Sequence, residues 1–236
     1  GKQAYRDYVL YVADVLLEAA VTDERGLHWS DQEDITADGG FIVFLDILYR
    51  KTGIKKYLEL AKEGLTYAMN IAVGDETGRL IPYQDHPVTG PTYDKYYLST
   101  CHGPVGSTLA FRELYEITRE EIYRNWTIEL SRGIVRAGAP GILEHFAAMY
   151  EYTGEKEFYD YMIRTADVML SDSDHRTPGL RTWYDSWWRT IPTRVVSYPG
   201  LYVGVAGCAS SLLRTYAALT GKKLTNLYEY HFFEKF

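Results

Sequence analysis

Cysteine is scarce in this chain: Cys101 and Cys208 are the two among 236 residues. Two cysteines exclude a disulfide framework and allow one bridge at most. Long apolar runs are missing as well. No stretch reaches the roughly 18 residues that a spanning helix needs, so no membrane span is expected. No signal peptide is visible, and a cytoplasmic protein is expected. The chain opens on Gly1 rather than Met, as a processed or trimmed chain does. Positive charge is short too: 25 Lys and Arg stand against 32 Asp and Glu, a net charge of −7. That balance argues against nucleic acid as a partner. Phosphate-loop, nucleotide-binding and Ser-His-Asp signatures are absent by inspection.

Aromatic residues are plentiful, with 22 tyrosines and five tryptophans. They favour packed helical hairpins and a groove for a peptide or a sugar over a disordered chain. The length suits a core of real size.

The strongest feature is a repeat. "GGFIVFLDILYRKTG" (39–53), "VGSTLAFRELYEIT" (105–118), "PGILEHFAAMYEYTG" (140–154) and "AGCASSLLRTYAALTG" (206–221) are all apolar at helical spacing. They align on Gly40, Gly106, Gly141 and Gly207, and a tyrosine follows nine residues later each time: Tyr49, Tyr115, Tyr150 and Tyr216. A threonine then follows, three residues on at Thr52, Thr118 and Thr153 and four on at Thr220. Four such coincidences mark an internal repeat. "IKKYLELAKEGLTYAMNI", "EEIYRNWTIELSRGI" and "EKEFYDYMIRTADVML" follow the first three copies as partner helices. The predicted unit is a helical hairpin closed at a Thr-Gly turn, with glycine as the left-handed cap. About four glycine-started inner helices, with outer helices behind them and one leading helix, predict an all-α chain built as an α/α ring over residues 1–236. Inner-helix N-termini then gather at one mouth, where their dipoles and unpaired N–H groups favour a ligand.

The aligned glycines lie 66, 35 and 66 residues apart, so two gaps hold long loops, 74–100 and 172–200. Related motifs recur there and once earlier: "GLHWSDQED" (26–34), "GRLIPYQDHP" (78–87) and "GLRTWYDSWW" (179–188). Loops of this length are usually functional or disordered. Trp29, Trp183 and Trp187 either line a site or plug the hairpin array.

"CHGPVGSTLAFRELYEIT", "GLYVGVAGCASSLLRTYAALTGKK" and "GGFIVFLDILYRKTGIKKYLELA" resemble the repeats of the lanthionine synthetase C (LanC-like) family. The resemblance covers nearly the whole chain, and its most specific part is the Cys-His-Gly turn opening an inner helix. It implies an α/α toroid with one zinc in its central mouth, held by the Cys and His of that turn and a further Cys. It also implies cyclase chemistry, in which peptide thiols add to dehydroalanine or dehydrobutyrine to make thioether rings. Cys101 and His102 match two of the three zinc ligands. Three protein ligands leave an open position on zinc, where a thiol would bind as the more nucleophilic thiolate.

Two departures stand out. The slot of Cys101 is filled by Ile35, Arg136 and Tyr202 in the other copies, and that of His102 by Thr36, Ala137 and Val203. Cys208 follows its anchor glycine and reads as a small core residue. A third ligand would have to come from another His or from an Asp such as Asp34 or Asp38. Four inner helices also fall short of the family's ring, so the ring is reduced or the chain is part of a longer protein. An open ring would leave an apolar edge for a partner or a second copy.

The candidate catalytic residues are His28, Arg136 and Tyr202. His28 and His86 sit in the long loops, where a solvated histidine competes with a functional one. Arg136 and Tyr202 occupy the Cys101 slot; Arg136 suits an anionic group, and Tyr202 a proton or simple packing. His145 falls in the first turn of an inner helix beside Glu144. Three functions compete: a LanC-like cyclase, a degenerate family member that binds a peptide or partner domain, and a carbohydrate-active toroid using carboxylates such as Asp85 and Asp185.

Overall fold

The computed structural model describes residues 2–29, 35–82, 103–136, 143–184, 196–200 and 204–222, with the backbone alone at 35–38 and 136. The helices are α1 (Lys2–Glu18), α2 (Ile35–Thr52), α3 (Lys55–Ile71), α4 (Pro104–Thr118), α5 (Glu121–Arg136), α6 (Leu143–Thr153), α7 (Lys156–Ser171) and α8 (Val205–Leu219). Two short antiparallel pairs accompany them: β1 (Val21–Asp23) with β2 (Gly26–His28), and β3 (Val73–Asp75) with β4 (Gly78–Leu80). The chain divides into two compact units, Gly1–Ala139 and Pro140–Phe236. The all-α class and the hairpin repeat expected from the sequence are both present. α2, α4, α6 and α8 are the four aligned inner helices, and α3, α5 and α7 are their outer partners.

The repeated threonine is the mechanical part of each turn. Thr52 Oγ1 donates to the Leu48 carbonyl at 2.7 Å and accepts from the Ile54 N–H at 3.2 Å. Thr118 joins Leu114 O and Glu120 N in the same way, and Thr153 joins Met149 O and Glu155 N. One hydroxyl thus adds a second bond to a carbonyl of the last helical turn and accepts from the amide of the residue just before the partner helix, which locks the reversal. The next residue must enter the left-handed region. Gly53 and Gly154 do so at φ +71° and +69°, as glycine readily does. In the second copy Arg119 does so instead, at φ 60°.

The anchor glycine is not where the sequence pattern puts it. Gly103 and Gly204 are the N-caps of α4 and α8, so Gly106 and Gly207 fall at the third helical position. Their amides reach back to the Gly103 and Gly204 carbonyls, each at 3.0 Å. The Gly-x-x-Gly spacing is thus one closed helical turn, capped by a residue with no side chain.

In the first unit the apolar faces of α2, α3, α4 and α5 share a core containing Ile42, Leu45, Leu65, Tyr67, Phe111, Leu114 and Leu130, each at most 2% exposed. Close approach explains two glycines. A Cβ on Gly64 would meet Ile42 Cγ1 at 2.9 Å, and one on Gly133 would lie 1.8 Å from the Arg79 carbonyl oxygen. The second contact seats the β3–β4 hairpin on α5. Arg79 completes it, with its guanidinium 4.5 Å from the Trp126 ring centroid and its Nε donating to Glu129 at 2.6 Å.

The strands lie in segments the sequence presents as loops. Each pair turns on an aspartate that folds the chain back on itself. Asp23 Oδ1 accepts from Arg25 N, Asp75 Oδ1 from Thr77 N, and Asp174 Oδ1 from Arg176 N, at 2.8 to 3.0 Å. The third copy carries a single bridge, Asp174 to Thr182. This side-chain turn is a local event, so an Asp-led turn follows α1, α3 and α7 alike.

In the second unit Leu143, Phe146, Ala147, Met149, Phe158, Met162 and Ala217 form the core. Tyr150 and Tyr159 join α6 to α7 edge-on at 5.3 Å. Arg214 of α8, 4% exposed, bridges Glu144 at 3.1 Å and Glu151 at 2.7 Å, both on α6.

Candidate functional site

The sequence places chemistry at the start of the inner helices, and the described residues reach that place from one side. α4 begins at Pro104, whose missing N–H and fixed φ suit a first helical position. Gly103 offers no capping oxygen, so no side chain closes the N-terminal amides. Ser107 and Thr108 of the same turn are buried, and Thr108 Oγ1 donates to Val105 O at 2.8 Å. Cys101 and His102 immediately precede this cap and lie outside the described residues. α8 starts in the same way at Gly204, two residues after Tyr202, which also lies outside them. Arg136 is the last residue of α5, with only its backbone described.

His28 is fully described. It ends β2 at 0% exposure, its ring stacked on Tyr67 at 4.4 Å with 12° between planes. Its Nδ1 lies 3.2 Å from the Gly26 carbonyl, and the Arg25 guanidinium sits 5.6 Å from the Tyr67 ring centroid. The reading of His28 as a solvated loop residue is therefore corrected. The Asp23 turn folds the strand onto α3 and carries the ring inside. Asp23 itself is held down at about 2, first by its hydrogen bond from the Arg25 side chain.

Cys208 departs from the buried core residue expected. It lies in the first turns of α8 with intermediate exposure. His145 is buried in α6, edge-on to Phe146 at 5.7 Å. Trp29 and Trp183 have matching roles. Their indole N–H groups donate to Leu16 O and Met169 O, each at 2.7 Å, near the ends of α1 and α7. Each indole thereby satisfies a helix-terminal carbonyl, and Trp29 also packs against the core of the first unit. Trp187, His86, Asp34, Asp85 and Asp185 lie outside the described residues, and only the backbone of Asp38 lies within them.

One polar residue has no counterpart among the residues the sequence singles out. Asp46 is 1% exposed in α2, and neither carboxylate oxygen has a hydrogen-bond partner among the described residues. Burial pushes its carboxyl up to about 8. The Glu113 charge adds to the shift and Arg50 opposes it. Arg50 is engaged with Glu113, donating to its Oε2 at 3.0 Å. Tyr123 is raised to about 12, first by burial and then by Glu120, Asp46 and Glu59. The repeat carries no clear signal for it: the aligned positions hold Arg112, Ala147 and Leu213, of which Ala147 is buried and Leu213 exposed.

A thiolate and an imidazole are donors that suit zinc. In that respect the Cys101–His102 pair fits the metal the resemblance implies. Among the described residues no group of three His, Cys, Asp or Glu side chains comes together to add to it. No helix among the described residues is long and apolar enough to cross a membrane.

The family model described as lanthionine synthetase C-like protein matches residues 37–222, from α2 to the end of the last described segment. A search of curated proteins gives no match to set beside it. The match takes in all four inner helices and most of the chain, and the chain belongs to the lanthionine synthetase C-like family.

Proposed function

We propose that this chain is a cytoplasmic, zinc-dependent cyclase of its family, joining cysteine thiols of a peptide to dehydroamino acids within it. The observation that carries the proposal is the placement of Cys101 and His102 directly before the glycine cap of α4, inside a family match that spans that turn. Cys101 and His102 would hold the metal. Zinc, when bound, lowers the proton affinity of a thiol so that thiolate is present at neutral pH.

The remaining work falls to the chain. The peptide sulfur bonds to the β-carbon of a dehydroalanine or dehydrobutyrine, and the enolate left behind takes a proton at its α-carbon. The thiol proton is thereby conserved and the product is an isomer of the substrate. Tyr202, in the Cys101 slot of its own repeat, is the proposed proton donor. Arg136, in the same slot of another, is proposed to hold the developing enolate oxygen, as a fixed cation does at a charge that grows in the transition state. His28, sealed against Tyr67, enters as a positioning residue for the β1–β2 hairpin.

The test uses a peptide carrying one cysteine and one dehydroalanine. Cyclisation leaves the mass unchanged and removes the thiol, so alkylation by iodoacetamide before and after incubation reads it directly. Wild type should consume the thiol, and Cys101→Ala and His102→Ala should not. Full alkylation after incubation with wild type, with zinc supplied, contradicts the proposal.

One observation favours a second reading, a family member that binds a peptide without closing rings. The family's further cysteine, the third ligand, has no counterpart in the Cys101 slot of the other repeats, and Cys208 sits one residue past its anchor glycine. Peptide binding unaffected by Cys101→Ala, with no thiol consumed, would select it.

A further inference from the structure

The two units use one ionic contact with opposite polarity. In the first unit Arg50 of α2 donates to Glu113 of α4 at 3.0 Å. In the second, Arg214 of α8 donates to Glu151 of α6 at 2.7 Å and to Glu144 of α6 at 3.1 Å. Arg50 and Glu151 each lie ten residues after their anchor glycine, and Glu113 and Arg214 each lie seven after theirs. The contact therefore joins the same two repeat positions in both units, from one inner helix to the next. The cation stands on the earlier helix in the first unit and on the later helix in the second.

Polarity adds nothing to either contact by itself. Arg50 and Glu113 are 45% and 29% exposed, and a pair of that kind adds little to stability whichever way round it stands. Polarity matters where a helix has a choice of partners. Inner helices built on one pattern give that choice, and misassembly between like elements is a characteristic failure of repeat proteins. If α8 took the seat of α4 on α2, Arg214 would meet Arg50, and Val43 would stand where α6 offers Glu144. Asp46, one turn before Arg50, would offset this in part. Arg214 is 4% exposed, so a cation poorly paired there is costly. If α4 took the seat of α8 on α6, Glu113 would meet Glu144 and Glu151 on a helix without Lys or Arg. Arg112, 3.7 Å from Glu113 on its own helix, would relieve part of that repulsion.

We infer that the reversed polarity is a pairing code. It seats α4 on α2 and α8 on α6, and it disfavours the exchange of those partners within one chain or between two copies. The code goes beyond the cyclase reading and does not depend on it.

The test reverses the first unit alone. Arg50→Glu with Glu113→Arg keeps a pair between α2 and α4 and gives both units one polarity. Arg50→Ala with Glu113→Ala removes the pair. Each full chain is unfolded in concentrated urea and refolded by dilution, and the fraction that elutes from a sizing column with never-unfolded protein is measured. Wild type should recover best, the alanine variant less and the reversed variant least, lower than wild type by about twofold or more. A pair that served stability alone would give another order, with the reversed variant beside wild type and the alanine variant below both. Before unfolding, all three should share one circular dichroism spectrum. Should the reversed variant lose helix content, Arg50→Asp with Glu113→Lys carries the same reversal. Salt at about 1 M, where screening acts within about 3 Å, should narrow the gap between wild type and the reversed variant. Any other order of recovery, or a gap that salt leaves unchanged, overturns the inference.

Discussion

Asp46 is the residue whose chemistry departs furthest from its ordinary behaviour. Its carboxyl is raised from 3.8 to about 8 by burial without a hydrogen-bond partner among the described residues. A group raised in the folded state holds its proton more tightly there than in the unfolded chain. Its favourable contribution is complete below about pH 4 and is lost as pH rises towards about 8. Asp46→Asn removes that dependence. The variant should gain roughly 1–3 kcal/mol over wild type at pH 8, and nothing comparable at pH 4. Urea unfolding at pH 4, 6 and 8 checks this, and parallel curves for the two proteins would speak against it. The sequence conceals Asp46 because a carboxylate among apolar residues looks the same whether it faces water or core. The alignment of repeats leaves the ambiguity standing, since the equivalent Ala147 is buried while the equivalent Leu213 is exposed.

At the scale of elements, helices and their turns are the legible part. Apolar periodicity marks the inner and outer helices, and Thr-Gly marks where most pairs reverse. Those signals are local, so a single sequence carries them. The strands are less visible: each is three residues long, and each pair is fixed by an aspartate hydrogen bond rather than by alternation. The burial of His28 is illegible for a further reason, since it depends on α3, whose Tyr67 is 39 positions away along the chain. The second hairpin makes a prediction at this scale. Arg119 holds the left-handed turn that Gly53 and Gly154 hold elsewhere, at φ 60°, a conformation that strains an L side chain by about 1 kcal/mol. Arg119→Gly should therefore stabilise the first unit. Loss of the exposed contact with Glu116, at 2.8 Å, subtracts little. A rise in melting temperature of a few degrees is the expected reading; a fall would mean that the contacts of Arg119 outweigh the strain.

At the scale of the whole molecule, the glycine-to-threonine repeat and the Cys-His-Gly turn point to the same family that the match over residues 37–222 shows. The candidate site is legible in type rather than in place. Cys101 and His102 stand out because Cys-His-Gly opens an inner helix, and that helix does begin where the motif ends, at the Gly103 cap. A third ligand has no such signature, because a donor brought in from another repeat leaves no spacing to read. The cyclase account therefore rests on metal held by that pair, and zinc content tests it most directly. Elemental mass spectrometry on purified wild type and on Cys101→Ala, both checked for helix content by circular dichroism, should find about one zinc per chain in the first and none in the second. Wild type without zinc, or a variant that keeps it, would contradict the account.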